Sequence, residues 1–600
     1  MSLPSYQPQE QAYRGGVAVL APYLDGSTLD SLSRVKTAFF SVFGGYLWSD
    51  PIKIVSRSRT PYTKAIKFIT RKHQERYSDL VQVLDFRPLL MLKENGKFIG
   101  DFIPNERYFN CQFIFNHLTC FKNLKFVVVD DVQIWNNSYF YDSTCPRYNT
   151  KPLLLSTSSS LLLDSSAVLE ADYFTNLMYL DISGTYHAAA AIASLSNYEF
   201  GNLRVLKMRN MRLTKLPRFI LALGLRLWSL DVCSNLLTDN DIDSLILYCI
   251  KPAIKRPEPL PRPVSDAVFF DFPPEYQTHG DIHDDMPARR PDSTTHFIEA
   301  MSNTQDAVSN PMYSPTGLTQ LYISNNKLTA NGTRLLLSTT NRLQVLDLGA
   351  MISNLDPSMY STPHATVYHA HDSLLMPPSQ LERIRVHHSF ITFIPTITLG
   401  SPTRYHIAYI EAAEKFALSH NSSDPNLAYD PLQNHRITHL ILTDIPSKSH
   451  GILITNLTSL IRKVAKQFQD IEDVRSSSLA SGNYKYRSPR LLSGLRLLRL
   501  EFIHEDRRDG LSSSVSGDRD ADTFLERSLG DFSFFGEGEV VGSSGRGRGK
   551  EVEKGKKKKN KKEEGVLRDV VAELKAFREK EVPRWPGQLQ LVVPARAGGV

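Results

Sequence analysis

A short apolar pattern, Leu-x-x-Leu-x-Leu followed three residues later by a further anchor, returns along this chain from its first third to position 503. The two most complete copies begin at Leu318, reading LTQLYISNNKL, and at Leu227, reading LWSLDVCSNLL. The starts at 177, 203 and 227 are 26 and 24 residues apart, and those at 318 and 343 are 25 apart. Shorter or degenerate copies begin at Leu177, Leu203, Leu343, Leu381, Ile437 and Leu495, and weaker ones at Leu124 and Val81.

The spacing of this pattern has a physical cause. In x-Leu-x-Leu-x, the two leucines of a short strand point to one side and the residues between them point to the other. An Asn placed as Asn326 turns the chain out of the strand, because its amide bonds neighbouring backbone groups. One copy cannot bury its apolar edge alone, so copies must stack. A period of roughly 20–29 residues is typical of leucine-rich repeats. We therefore predict an α/β fold class, a leucine-rich-repeat solenoid of irregular, helix-bearing repeats behind a small N-terminal helical module.

Shifts in composition divide the chain into segments. Proline and mixed charge crowd the stretch after Cys249, and a Gly- and Lys-rich tract precedes the last helix. Helical spacing recurs twice, in Leu457, Leu460, Ile461, Val464 and Phe468, and in Leu567, Val570, Val571, Leu574 and Phe577. The predicted segments are a disordered N-terminus (1–15), the helical module (16–50), a connector with room for a degenerate first repeat (51–115), a first repeat block (116–250), a Pro-rich disordered insertion (251–315), a second repeat block (316–505), a disordered basic linker (506–565), and a C-terminal amphipathic helix and tail (566–600).

The composition is that of an ordinary soluble protein, with 41% hydrophobic and 22% charged residues and a formal charge of +7. The start of the chain has no basic-then-apolar signal peptide, and no apolar run reaches the roughly 18–20 residues of a membrane span. These features predict a cytoplasmic or nuclear protein without a membrane partner. The cysteines show no CxxC pairs and are predicted to be reduced structural thiols: Cys111, Cys120, Cys145, Cys233 and Cys249.

Motifs for catalysis are missing from the sequence. We find no Walker loop, HExxH or GxSxG, and no convergent nucleophile and base. His283-Asp284-Asp285 has metal-ligating side chains, but it lies in the Pro-rich insertion, where a solvated charge cluster is the better interpretation. The sequence therefore predicts a protein that is not an enzyme and holds no cofactor or metal.

Residues 17–48 read VAVLAPYLDGSTLDSLSRVKTAFFSVFGGYLW and fit three short helices. Asp25-Gly26-Ser27 offers a turn and an N-cap for the second helix. The order of a Tyr-Leu pair, a loop, LDSLSRV, an aromatic and a closing Leu-Trp resembles an F-box of fungal-like form. The matching positions are Tyr23, Leu24, the run 29–35, Phe39, Leu47 and Trp48.

The order of an F-box followed by repeats is similar to that of the F-box/leucine-rich-repeat proteins. This resemblance implies a substrate receptor of a Skp-cullin-F-box ubiquitin ligase, which docks on a Skp-type adaptor and binds a protein target on the concave repeat face. The alternative is a repeat scaffold without a ubiquitin-ligase link, whose first helices only cap the solenoid. The residues that the resemblance assigns to the adaptor are Leu20, Leu24, Leu29, Leu32, Val35 and Trp48.

The residues beside the inward leucines are predicted to form the concave binding face. Basic residues gather in the copies at Leu203 and Leu381, which favours an acidic or phosphorylated protein segment as ligand, with an ordinary solvated face as the alternative. Nucleic acid is expected only through nonspecific contact by the basic run 556–562, which is otherwise a nuclear localisation signal or a solvated linker. The candidate partner-binding residues are Tyr179, Asp181, Lys207, Arg209, Tyr322, Arg383, Arg385 and His387.

Overall fold

The computed structural model describes part of the 600-residue chain. The predicted disordered N-terminus, the linker 506–565 and the basic run 556–562 lie outside that part. The described residues are 26–35, 43–44, 47–56, 64–65, 68, 79–90, 93–94, 97–98, 121–130, 151–158, 175–185, 200–250, 291–302, 317–339, 343–349, 381–392, 394, 414, 436–480, 494–503, 567–581 and 585–593.

Across the described residues, twelve strands form one continuous sheet in which every neighbouring pair is parallel and strand order follows chain order. Two short antiparallel pairs lie outside it, Lys93–Glu94 (β2) with Lys97–Phe98 (β3), and Lys448–Ser449 (β13) with Arg568–Asp569 (β15). The sheet strands are Val83–Asp85 (β1), Phe126–Val128 (β4), Leu154–Ser156 (β5), Tyr179–Asp181 (β6), Val205–Lys207 (β7), Ser229–Asp231 (β8), Gln320–Tyr322 (β9), Val345–Asp347 (β10), Arg383–His387 (β11), His439–Ile445 (β12), Leu497–Phe502 (β14) and Gln588–Val592 (β16).

The main core lies on one face of this sheet. The register aligns one apolar side chain per strand in a row across it, and burying each leucine of this kind contributes roughly 1.5–3 kcal/mol. Most of the row is almost fully buried, and only its last member is partly exposed. The row consists of Leu84, Val127, Leu155, Leu180, Leu206, Leu230, Leu321, Leu346, Ile384, Leu440, Leu498 and Leu589.

Two buried asparagines turn the chain after their strands. The Asn235 Nδ2 atom donates to the carbonyls of Met208 and Val232, at 2.9 Å each, and its Oδ1 atom accepts from Leu213 N at 3.1 Å. Asn326 Nδ2 donates to the Val232 carbonyl in the same way, at 2.9 Å. The role predicted for this Asn position is therefore confirmed.

Helices pack mainly against the core face. The helix after β8 begins with a capping box, in which Thr238 and Asp241 bond each other's backbone N–H groups. The described helices are Gly26–Val35 (α1), Pro51–Val55 (α2), Arg87–Leu90 (α3), Arg218–Leu223 (α4), Asp239–Tyr248 (α5), Thr294–Ser302 (α6), Ala330–Thr339 (α7), Ser389–Thr392 (α8), Ile452–Ala480 (α9) and Val570–Lys580 (α10).

Local predictions from the sequence are largely confirmed. Every predicted copy of the leucine pattern forms a strand, including the weak copies at Leu124 and Val81. The two amphipathic patterns are α9 and α10, whose Val464 and Leu574 side chains are fully buried. Strands β5 and β16 were not predicted.

The predicted fold class is wrong. We predicted a leucine-rich-repeat solenoid of helix-bearing repeats behind a helical F-box-like module. The described residues instead form a single 12-stranded, all-parallel sheet with few helices, so the chain is an α/β protein built on one continuous sheet. The physical reason is that Leu-x-x-Leu-x-Leu reports a strand with one buried face and a parallel neighbour. It does not specify what connects one strand to the next.

The Pro-rich insertion holds an ordered element. Residues 291–302 are described, and helix α6 lies within the stretch predicted to be disordered. His283-Asp284-Asp285 lies outside the described residues. Of the helices in the described part, none is long and apolar enough to cross a membrane.

Candidate partner-binding surface

The predicted binding residues lie on the face of the sheet turned away from the leucine row, called here the opposite face. The third residues of the strands form its middle line, which mixes acids, bases and aromatic groups. This line runs Asp85, Val128, Ser156, Asp181, Lys207, Asp231, Tyr322, Asp347, Arg385, Ile441, Arg499 and Gln590.

Most of the predicted partner-binding residues are not on the surface. Each of the following is less than a tenth exposed: Tyr179, Asp181, Lys207, Arg209, Tyr322 and His387. These six side chains are therefore not exposed to a partner in this structure, and the alternative of an ordinary solvated face does not hold for them either. Alternation along a strand shows which face a side chain takes, but not whether another segment covers that face.

Helix α6 is one such cover. The hydroxyl groups of Tyr179 and Thr294 are 3.1 Å apart, and the Phe297 ring centroid is 5.2 Å from that of Tyr179. The Tyr322 hydroxyl donates to the Asp292 carboxylate. These contacts join the start of α6 to strands β6 and β9.

Buried charges on the opposite face are paired within the protein. Arg209 forms an ion pair with Asp231, and the Lys207 ammonium lies 5.6 Å from the centre of the Tyr179 ring. Removing one partner of the buried Arg209–Asp231 pair would leave an uncompensated charge inside the protein, so each of the two groups depends on the other.

The carboxyl group of Asp130, just after β4, lies in a buried environment that disfavours its charged form. Its Oδ1 atom accepts from Ser156 Oγ at 2.6 Å and from Ser158 N at 3.0 Å. Burial, and secondarily the charge of Asp181, raise the pKa of Asp130 to about 7 despite these bonds and the nearby Arg87. Its protonation therefore changes close to neutral pH.

Arg385 bridges three strands of the sheet. Its Nη1 atom lies 3.3 Å from Asp347 on β10, and its Nη2 atom lies 2.8 Å from Glu501 on β14. Arg499 Nε lies 2.8 Å from the other Glu501 oxygen. Burial alone would lower the pKa of Arg385, but the charges of Asp347 and Glu501 outweigh it and raise the pKa. Burial raises the pKa of Asp347 despite the attraction of Arg385.

His387 and His388 form a buried pair at the end of β11. Their rings stack with centroids 4.8 Å apart, and His387 Nδ1 is 2.7 Å from Ser389 Oγ. Burial lowers the pKa of both imidazoles, so both are neutral at physiological pH. His387 is thus a packed group, and its predicted surface role is corrected.

The predicted adaptor residues are partly internal. Leu29 is buried against Phe43 and Leu47, and Leu32 and Trp48 pack half-buried against the same cluster. Leu29 is therefore not available to an adaptor in this structure, because α1 buries it within its own module. Leu20, Leu24 and the Val35 side chain lie outside the described residues.

The N-terminal module is joined to the sheet. The Ser49 carbonyl accepts from Gln82 N at 3.0 Å and from Val83 N at 2.8 Å. The Trp48 ring stacks on Phe68 with centroids 5.8 Å apart. These contacts place the module against the first strand, as a cap would lie.

Sequence reasoning missed the residues of α6 that reach the opposite face. Ser293 accepts from His296 N at 3.3 Å and caps the helix, while Phe297 and Met301 are fully buried. A Ser followed by apolar residues at helical spacing is a helix-start signal. It was outweighed by the proline content around it.

The described residues offer no group of three or more His, Cys, Asp or Glu side chains arranged to hold a metal ion. Cys233 and Cys249 are free and buried, and burial raises the pKa of both thiols, that of Cys249 to about 12. Comparison with known proteins adds no assignment, since no family model and no curated protein matches the sequence.

Proposed function

We propose that this chain is a noncatalytic protein-interaction protein that binds an acidic or phosphorylated protein segment at one end of the opposite face. The observation that carries the proposal is a contrast in exposure. Arg383, Arg385 and Arg499 are partly exposed, with 19% of the Arg385 and 11% of the Arg499 side chain open to solvent, whereas the predicted binding residues on β6–β9 are buried. We call the partly exposed set Arg383, Arg385, His439, Arg499 and Glu501 the charged end.

The electrostatics of the charged end support an anionic ligand. Two arginines, Arg385 and Arg499, pair with two carboxyl groups, Asp347 on β10 and Glu501 on β14. Arg383 is paired in register with His439 on β12, next to that network. Guanidinium groups bind carboxylate and phosphate through charge-assisted, often bidentate hydrogen bonds. A basic surface held in place by internal ion pairs is therefore suited to an anionic peptide.

The test is binding of the full chain to an array of acidic and phosphorylated peptides. We expect salt-sensitive binding that is lost in Arg383→Glu, because the new carboxylate repels the ligand. Arg496→Glu is the matched control, since Arg496 is an exposed arginine near the start of β14. Equal binding by both variants, or no binding by the wild-type chain, would contradict the proposal.

A second candidate is the role of substrate receptor in a Skp-cullin-F-box ubiquitin ligase. What favours it is that Ser31 and Arg34 leave one side of α1 exposed beside the half-buried Leu32. We expect purified Skp adaptor to bind the full chain and Leu32→Ala to weaken that binding without loss of fold, judged by circular dichroism. Failure of the full chain to bind leaves the module as a cap on an interaction scaffold.

The cellular compartment of the protein is part of the ubiquitin-ligase proposal. An adaptor partner of this kind fits a cytoplasmic or nuclear protein, and the basic run 556–562 fits nuclear import. Replacing the lysines of this run with glutamine and imaging the tagged full chain tests the import role.

A further inference from the structure

Helix α6 sits on the opposite face as a bound segment would. Its side chains Thr294, Phe297 and Met301 follow an i, i+3, i+7 spacing, and all three are less than a tenth exposed. This spacing is the one with which an amphipathic helix occupies a groove. The exposed Thr295 and Glu299 lie between them.

The sheet beneath α6 is apolar and aromatic where it meets Phe297 and Met301. These two side chains share a cluster with residues of the first five sheet strands and with Trp228 beside β8. Large aromatic groups of this kind dominate binding energies at protein interfaces. Without a cover, so contiguous an apolar patch would face water. The sheet members of the cluster are Val83, Phe126, Val128, Leu154, Tyr179 and Val205.

Helix α6 is not needed to join the strands on either side of it in the chain. Ser229 of β8 and Gln320 of β9 pair directly, and Val232 N donates to the Tyr322 carbonyl at 2.9 Å. The segment 291–302 is therefore added onto a sheet that is already continuous.

We propose that strands β4–β9 form a binding site for a helix of a partner protein, which this chain fills with its own residues 291–302. The partner helix has an acid at its start, an aromatic residue five positions later and a methionine or similar apolar residue nine positions later. Asp292, Phe297 and Met301 define this pattern. The partner enters by displacing α6, and it must supply a similar apolar surface because the patch beneath does not stay uncovered.

The covalent attachment of α6 to the rest of the chain sets how strongly it competes with a partner helix for the site. Residues 251–290 and 303–316 connect 291–302 to the neighbouring described stretches. A segment attached to the same chain as its site competes at an effective concentration of about 1 mM. For an intrinsic Kd of about 10 μM, the tethered helix weakens binding of an outside helix about 100-fold.

The experiment uses a fluorescent peptide of residues 288–304 and two forms of the full chain. Phe297→Asp with Met301→Asp expels α6, because each substitution places a charge in the apolar cluster. We expect this opened chain to bind the peptide at least tenfold more tightly than the wild-type chain, by fluorescence anisotropy. A peptide carrying Phe297→Asp should not bind, whereas one carrying Glu299→Gln should bind as the unchanged peptide does.

The same experiment includes a control for loss of folding and separates the proposal from its alternatives. If the opened chain does not unfold cooperatively, Asp292→Asn with Thr294→Val weakens α6 by its polar contacts alone, and a smaller gain in peptide affinity is expected. Equal peptide binding by wild-type and opened chains, or none by either, overturns the proposal. A wild-type dimer that the peptide converts to monomer also overturns it, since α6 would then pass between copies. The charged end lies on other strands, so this site and the proposed function can fail separately.

Discussion

At the scale of single residues, buried polar groups determine how tightly neighbouring strands are joined. Asn235 is the clearest case, because its amide bonds two carbonyls and its oxygen accepts two backbone N–H groups, Met211 N at 3.0 Å and Leu213 N at 3.1 Å. All these groups are buried, so each loses a hydrogen bond if the amide is removed, although the Val232 carbonyl keeps the one from Asn326.

We predict that Asn235→Ala lowers the free energy of unfolding by about 3 kcal/mol, since several buried backbone groups lose their partners. Asn240→Ala, on the exposed side of α5, should change it by less than about 0.5 kcal/mol. Urea denaturation of both variants measures the difference. A loss below about 1 kcal/mol in Asn235→Ala would show that water replaces the amide.

Asp130 makes stability depend on pH. Its folded pKa, about 7, lies above the value of about 4 of an unfolded aspartate. The stability that this group contributes is therefore fully present below pH 4 and is lost as pH rises from 4 to 7. Above pH 7 the stability no longer changes with the titration of Asp130. We expect Asp130→Asn to gain stability relative to the wild-type chain across that window, by up to about 4 kcal/mol. A difference between the two proteins that does not change with pH, measured by chemical denaturation, contradicts this.

At the scale of elements, α10 is held by a small apolar contact. Its N-cap Asp569 accepts from Ala572 N at 3.0 Å, and Val570 and Leu574 are fully buried in the main core. The exposed face of the helix carries charged residues such as Lys575.

Leu574→Ala should lower the free energy of unfolding by about 3 kcal/mol, because it removes a buried side chain and leaves a cavity. The neighbouring exposed change Lys575→Ala should cost less than about 0.5 kcal/mol. Thermal and urea unfolding of the two variants test this. Equal effects would mean that α10 does not contribute to the cooperative unit.

The two strands of the 12-stranded sheet that the sequence analysis missed share one substitution. In β5 and β16 the first leucine of the pattern is replaced by proline, Pro152 and Pro586, although Leu155 and Leu589 keep their place in the row. Both strands begin two residues after the proline, just as β6 and β7 begin two residues after their first leucine, so the proline changes the sequence pattern without moving the strand. The pattern requires a leucine at its first position, and that residue contributes to burial but does not define the strand.

The cover on the opposite face was not predictable in the same way. Strand periodicity is a local property, whereas the contact of Thr294 with Tyr179 joins positions 115 apart. The helix-start signal at Ser293 would at most have indicated a helix, not its place on the sheet, and we predicted disorder there. The fold class failed for a related reason, since the leucines report strands and not their connections.

At the scale of the whole molecule, the sheet is a linear array. Each described strand pairs only with its neighbours in strand order. Stability is then expected to vary along the array, with local openings that need not involve distant strands.

Hydrogen exchange should show this directly. Leu498→Ala in β14 should reduce amide protection in β12, β14 and β16 while leaving β4–β6 unchanged, because the lost contacts are those of adjacent strands. Val127→Ala in β4 should give the reverse pattern. Uniform loss of protection in either variant would show one fully cooperative unit.

The agreement between strand order and chain order also bears on biosynthesis. As the polypeptide leaves the ribosome, each strand from β4 onward meets a sheet edge that has already been made. An insertion such as 251–290 delays the arrival of β9 but leaves the edge of β8 in place. In general, each doubling of the length of a connection between strands costs only about 0.6 kcal/mol of closure entropy. The array can therefore accept new segments between strands during evolution, and helix α6 is an example of a segment that such an insertion brings to the sheet.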